Sequence, residues 1–311
     1  MMFLVLRSWF LVMNLQRAKH EPRTRNHEPR TAPNPTMLRL PFRNKVWRGA
    51  AGEFAGSGTG ASMDFQDHRS YSPGDDPRHI NWQAYARTGQ VTMKLFREEI
   101  RPVVDIVFDA SASMFVSPEK KKRSEELLAF LTTSSLKEGA SVRIHAASGD
   151  AQTTIDPMLM HTDQWTKSLE QLKPAHPSNP PDLQRIPLRP HALRVLISDL
   201  LFQTDPVPFL RMLSQQQGTP VIFSPFTRSE ADPDWSGNYD FIDPELNTRH
   251  PHRIEPATLR RYRESYQHHF KLWKDAAIRH QAPLARIPCE TDLLQTLYEA
   301  AVPVKALEPI Q

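Results

Sequence analysis

The 311-residue sequence has one cysteine, Cys289, and only eleven glycines. A single thiol excludes an internal disulfide framework and suits a reducing compartment, so a cytoplasmic location is expected. So few glycines overall against 28 prolines argue for long, stiff connections rather than Gly-rich linkers. There is no GxGxxG turn, no P-loop and no GxSxG elbow, which removes the usual sequence support for dinucleotide binding, P-loop NTP binding and serine-hydrolase chemistry. The 13 histidines are scattered. His250-x-His252 and His268-His269 have no cysteine or third ligand beside them, which argues against zinc. The apolar run at 3–13, FLVLRSWFLVM, is broken by Arg7 and Ser8. It is shorter than the ~18 residues a membrane helix needs, so no integral span is expected. No basic region precedes it and no small-residue cleavage site follows, as a signal peptide would require.

Excess charge of either sign is also small: 39 Lys and Arg face 35 Asp and Glu, a formal +4. Residues 1–50 hold ten basic and two acidic residues, 10 − 2 = +8, so the other 261 carry 4 − 8 = −4. A basic whole-chain balance would suggest a nucleic-acid partner. Here it lies in an N-terminal arm, and the body is slightly acidic, so nucleic acid is not expected. The segment EPRTRNHEPRTAPNP repeats EPRT and is Pro-rich without large apolar side chains, so residues 14–36 read as disordered. Met37 opens the first stretch that looks folded. Residues 1–36 are therefore expected to be a disordered arm, or upstream sequence with translation starting at Met37. A chain from Met37 loses six basic and two acidic residues and has no net charge.

Three parts are expected: the arm at 1–36, a dense segment at 37–100 packed on a sheet, and an α/β domain at 101–311. Gln90–Phe96 alternates and reads as a strand. Val103–Asp109, VVDIVFD, has the β-branched run of a buried parallel strand. Residues 118–137 read as a helix, with Pro118 in its first turn and Gly139 as its stop. A strand at 141–147 with a hairpin partner AQTTI follows, then helical patterns at 162–173 and 206–216, and strands at 193–198 and 219–224. Leu259, Tyr262, Tyr266, Phe270, Trp273 and Ala277 form one stripe of a long helix that packs on the sheet. APLARI reads as a last strand and DLLQTLYEAA as a last helix. The alternation predicts a doubly wound, mostly parallel sheet with helices on both faces.

In such sheets ligands sit at the carboxyl ends of the strands, where Asp109 and Asp199 both fall. Asp109-x-Ser111-x-Ser113 offers one carboxylate and two hydroxyls, the hard-oxygen donors that Mg²⁺ or Mn²⁺ prefers. Asp199 could add a second carboxylate. The alternative is that Ser111 and Ser113 merely cap the next helix.

VVDIVFDASASM resembles the first motif of the metal-ion-dependent adhesion site of von Willebrand factor A-type domains. FQDHRSYSPGDDPRHINWQAYARTGQVTMKLFREE resembles the signature of the bacterial domain of unknown function 58 family, an RxYxPGDDxRxIxW stretch ahead of such a domain, and NYDFIDPEL resembles that family's aspartate–proline–glutamate segment. The likeness covers roughly residues 47–300. It implies a von Willebrand A-like (Rossmann-like) fold in which Asp109, Ser111, Ser113 and Asp199 hold Mg²⁺ or Mn²⁺. The Thr such a site uses has no match in HPSNPPDLQRIPLRP, where Ser178 is the only hydroxyl. Either Ser178 substitutes or the site is incomplete and binds metal weakly.

The signature residues Arg69, Tyr71, Pro73, Gly74, Asp75, Asp76, Arg78, Trp82 and Arg87 admit a physical reading of their own. Pro73-Gly74 makes a turn, the aspartates pair with arginines, and Trp82 packs over the core. That describes a structural plug on the sheet edge; a partner-docking surface is the alternative. Nothing pairs a nucleophile with a base. The resemblance implies a non-enzymatic, cation-dependent interaction module working with a MoxR-type AAA+ ATPase in protein assembly or maturation. The rival reading is a metal-assisted hydrolase using Asp109 and Asp199.

Overall fold

The computed structural model describes residues 38–42, 51–59, 65–162 and 164–310, so the expectations for residues 1–36 and Met37 lie outside it. In chain order the elements are β1 (Leu38–Arg39), β2 (Ala51–Thr59), β3 (Phe65–Ser70), α1 (Trp82–Thr88) and β4 (Thr92–Ile100). Then come β5 (Val103–Asp109), α2 (Pro118–Lys137), β6 (Ser141–Ser148), β7 (Ala151–Ile155), α3 (Trp165–Glu170), β8 (Leu193–Ile197), α4 (Pro206–Leu213) and β9 (Thr219–Phe226). The last are α5 (Arg228–Ala231), β10 (Gly237–Ile242), β11 (Arg249–Ile254), α6 (Pro256–Arg279), β12 (Leu284–Pro288), α7 (Leu293–Thr296) and β13 (Glu308–Pro309).

Six strands form the central sheet in the order β12-β9-β8-β5-β6-β7. All neighbours are parallel except β6 and β7, the expected hairpin. Period-two alternation sends β5 side chains to two different cores. Val104, Ile106 and Phe108 join Leu127 and Leu131 of α2, Trp165 of α3 and Leu293 of α7. Val107 joins Phe209 and Leu210 of α4 and Trp273, Ala276 and Ala277 of α6. Each fully buried large side chain contributes about 1.5–3 kcal/mol. A third, smaller cluster of Trp235, Phe241, Ile254, Tyr262 and Tyr266 supports the β10–β11 hairpin.

From β5 the chain crosses through α2 to β6 on one side, then returns to place β8 on the other side of β5. The order reverses between β5 and β8, which puts the ligand-binding crevice of such a sheet at their carboxyl ends.

Leu183 and Ile186 of the Pro-rich loop at 171–192 join Val107 of β5 and Ala147 of β6 in the second core. Arg189 pins the loop: its backbone N–H and Nε donate to Asp105 at 2.6 and 2.7 Å, and its guanidinium also donates to the carbonyls of Val104 and Ser141. Asp150, in the β6–β7 turn, accepts from the N–H groups of Ala175 and His176 at 2.8 and 3.1 Å.

Residues 65–100 form a three-stranded antiparallel sheet with β2, in the order β2-β4-β3. The expected turn is present: Asp75 N–H donates to the Ser72 carbonyl at 3.0 Å, and Gly74 has φ +103°. Asp75 pairs with Arg69 at 2.5 Å and Asp76 with Arg78 at 2.6 Å. Trp82 does not pack over the core as expected. It is 61% exposed and lies edge-on to Tyr85 at 6.1 Å. Among the described side chains of residues 38–94, Leu38, Leu40 and Phe42 are the ones that enter the central core. Three helices are shorter than their patterns, the last because DLLQTLYEAA is α-helical only over Leu293–Thr296 and continues as a π turn over Leu297–Ala301. The 206–216 helix stops at Leu213 because Gln216 turns left-handed at φ +51°, and 162–173 keeps helix over Trp165–Glu170.

Gly149 has φ +51°, and a Cβ there would run into the backbone carbonyl of His176. Gly149→Ala should therefore cost at least about 2 kcal/mol in denaturant unfolding, from backbone strain and overpacking together. A loss under about 0.5 kcal/mol, the range of a neutral surface change, would show that the turn is not a fixed point of the fold.

Candidate functional site

At the switch point β5 ends on Asp109, and β8 runs out into Ser198 and Asp199. Asp109 is fully buried. Its Oδ1 accepts from the Ser111 N–H at 3.0 Å and its Oδ2 from the Ser198 hydroxyl at 2.6 Å. The Ser111 and Ser113 hydroxyls are 3.1 Å apart. The Asp199 N–H reaches the sulfur of Met114 on the same loop at 3.2 Å, and the Asp199 charge is felt at Asp109. Asp109, Ser111, Ser113 and Asp199 thus meet although Asp109 and Asp199 are ninety residues apart. Leu200, just after Asp199, sits at φ +60°, a strained conformation for a branched residue and one that clusters at functional sites.

The helix-capping alternative does not describe these hydroxyls. Ser111 makes no side-chain cap bond, and α2 is capped by Ser117, which accepts from the Lys120 N–H at 3.2 Å. Ser178 does not reach the cluster: the described hydrogen bonds include none between it and these residues. Its turn, closed by Asn179 N–H to the His176 carbonyl, is held against the β6–β7 turn instead. The hydroxyl that does reach Asp109 from outside the DxSxS loop is Ser198.

Three further side chains enter to which the sequence reading gave no site role, although one of them, Glu245, is the glutamate of the NYDFIDPEL segment. Lys120, in the first turn of α2 and fully buried, donates to Asp199 Oδ2 at 2.7 Å and to Glu230 Oε1 at 2.6 Å. Glu230 is held by the capping box of α5, its Oε2 accepting from the Thr227 N–H at 2.8 Å. Glu245, in the β10–β11 turn, accepts from the Ser113 N–H at 3.2 Å through Oε1, while its Oε2 is buried with no partner. Lys120 is one of three consecutive lysines, and such a run ordinarily reads as a solvated face. Its position in the first turn of a helix that starts at the strand ends was the available signal.

Asp109, Asp199, Glu230, Asp243 and Glu245 place five carboxyls at this end of the sheet. Against them stand Lys120 in contact and Arg286 at longer range. Burial raises Asp109, and the neighbouring charge of Asp199 raises it further. Burial would raise Asp199 too, but the Lys120 charge and hydrogen bond outweigh it and hold the group low. Burial alone would lower Lys120; Asp199 and Glu230 hold it above its usual value. Glu245 is pushed up to about 7, by burial first and then by the charge of Asp199.

Among the described residues no three His, Cys, Asp or Glu side chains are arranged as a ready cation cage. The donors nevertheless fit a hard, largely hydrated divalent ion: one carboxylate and two hydroxyls on one loop, with an unpartnered carboxylate oxygen on Glu245. Mg²⁺ commonly binds through one or two carboxylates and keeps several waters. Asp199, engaged by Lys120, is the least available of the expected ligands.

The family model described as "Protein of unknown function DUF58" matches residues 67–271. No curated protein matches the chain. Two solved structures are similar at low level. One is an aerotolerance-related membrane protein from Bacteroides fragilis NCTC 9343 with multiple mutations to serines (15% identity, 58% of this chain and 98% of that one, TM-score 0.31). The other is the conserved hypothetical protein BatB from Bacteroides thetaiotaomicron (13% identity, 57% and 99%, TM-score 0.32). Scores this low carry no argument about fold or function. No helix among the described residues is long and apolar enough to cross a membrane.

Removing Lys120 leaves Asp199 and Glu230 facing each other without their shared cation. Lys120→Met should cost about 3–5 kcal/mol, the scale for breaking a buried ion pair, read from denaturant unfolding; a neutral result would contradict the buried triad. The Glu245 shift predicts a pH dependence. Its carboxyl titrates near 7 when folded, against a usual 4.5, so the folded state binds the extra proton between those values. Stability then falls as pH rises through that window. Without divalent ions, wild type measured against Glu245→Gln should lose stability from about pH 4.5 to about pH 7. A flat or rising difference would contradict the placement of Glu245.

Proposed function

The chain belongs to the DUF58 family, and on that premise we propose that it is a non-enzymatic, divalent-cation-dependent protein-interaction module of von Willebrand A type. The observation that carries this reading is the convergence of the Asp109-x-Ser111-x-Ser113 loop with Asp199 at the switch point of the sheet. Asp109, Ser111 and Ser113 are the residues that would hold Mg²⁺ or Mn²⁺, with Glu245 beside them on Ser113 and Asp199 against Met114 of the same loop. When bound, the cation supplies an open coordination position for an acidic side chain of a partner. The chain's own residues shape the rest: Ser198 orients Asp109, and Lys120 holds Asp199 in place. The proposed partner is a MoxR-type AAA+ ATPase, and the role is assembly or maturation of other proteins in the cytoplasm.

Hydrolysis through Asp109 and Asp199 is less well supported. A general base needs a free carboxylate within reach of a water. Asp109 is engaged by Ser111 and Ser198, and Asp199 by Lys120 and the Leu201 N–H.

Calorimetry with Mg²⁺ and a pull-down against a purified MoxR-type ATPase, each with and without EDTA, test the proposal. Asp109→Ala should weaken Mg²⁺ binding at least about tenfold, the scale seen when a metal site loses even a supporting group, and should remove EDTA-sensitive capture. Unchanged Mg²⁺ affinity in that variant would end the cation reading.

A further inference from the structure

The β10–β11 turn has an order that its exposure does not require. Asp243, buried at 5% exposure, accepts from the N–H groups of Glu245 and Leu246 at 2.9 and 3.0 Å. The Asp243 N–H donates to the Thr248 carbonyl at 2.9 Å and the Asn247 N–H to the Asp243 carbonyl at 2.7 Å, with Asn247 left-handed at φ +53°. The turn is thus fixed from inside, and it delivers one carboxylate, Glu245, to the backbone of Ser113, 132 residues away in sequence. That carboxylate is poorly accommodated. It makes one 3.2 Å hydrogen bond, and its second oxygen is buried and unpartnered. Beside it, Leu246 is 51% exposed. The hairpin stands on its own aromatic cluster, so the turn can shift without opening either core of the central sheet.

We propose that the 243–248 turn is a gate on the cation-dependent site, with Glu245 holding from within the chain the place that a partner's acidic side chain takes. This inference rests on the function proposed above. An acidic partner must displace Glu245 to reach the Ser111–Ser113 loop. A single hydrogen bond and an unpartnered oxygen keep the closed contact weak enough to yield, and Leu246 offers the arriving partner an apolar contact at the edge.

The test uses the full chain and a fluorescent peptide of ten glutamates, at Mg²⁺ concentrations that calorimetry shows to be saturating for each variant. Glu245→Ala should bind the peptide at least about tenfold tighter than wild type. Glu245→Gln, which keeps the hydrogen bond without the charge, should fall between them and is the variant least able to disturb folding. Hydrogen exchange at the Ser113 amide should quicken in Glu245→Ala. Equal or weaker peptide binding by Glu245→Ala, or no peptide binding by any form, overturns the gate while Mg²⁺ heat leaves the cation site standing. Absence of Mg²⁺ heat in wild type and variants alike overturns both.

Discussion

One buried ammonium joins three parts of this protein. Lys120 projects from the first turn of α2 and reaches Asp199 at the end of β8 and Glu230 at the start of α5, all of them largely removed from water. Burying an ion pair is costly unless the geometry is close and the remaining hydrogen bonds are met. Here they are: Asp199 also accepts from the Leu201 N–H, and Glu230 closes a capping box with Thr227. The bridge fixes how the strand end and two helix starts face each other, and so where the Asp109 loop opens.

The same bridge leaves negative charge over. Lys120 balances one of its two carboxylates, and Asp109 and Glu245 have no cation in contact. Burial first, and that imbalance second, raises the titration of both groups. A proton relieves it at low pH. A divalent ion would relieve it at neutral pH while using oxygens that already point inward. The charge that matters is therefore local, and it is hidden in the whole-chain total of +4.

Much of the frame was legible in the sequence because it rests on period and punctuation. VVDIVFD could only be a buried strand, and Pro118 and Gly139 bracket α2. Asp109 and Asp199 could be placed at strand ends, which is enough to predict that they meet once β5 and β8 are neighbours. What the pattern hid was direction. Three consecutive lysines look alike, and only the helix phase decides that Lys120 turns inward. Trp82 sits in a dense motif that suggests packing, yet α1 leaves it in solvent. Ser178 lies in a loop of the right length for a missing ligand, but Asp150 and Arg189 pin that loop elsewhere. Glu245 stands out in the sequence only as part of the NYDFIDPEL segment, and its role shows once its partner, Ser113, is known.

Anomalous scattering from crystals soaked in Mn²⁺ near pH 8, where Glu245 is ionised, tests the central claim directly. The account predicts one peak within about 2.2 Å of Asp109 and the Ser111 and Ser113 hydroxyls, with Lys120 still on Asp199; hard divalent ions bind oxygen at about that distance. An empty site at millimolar Mn²⁺, or a cation bound away from Asp109, would contradict it.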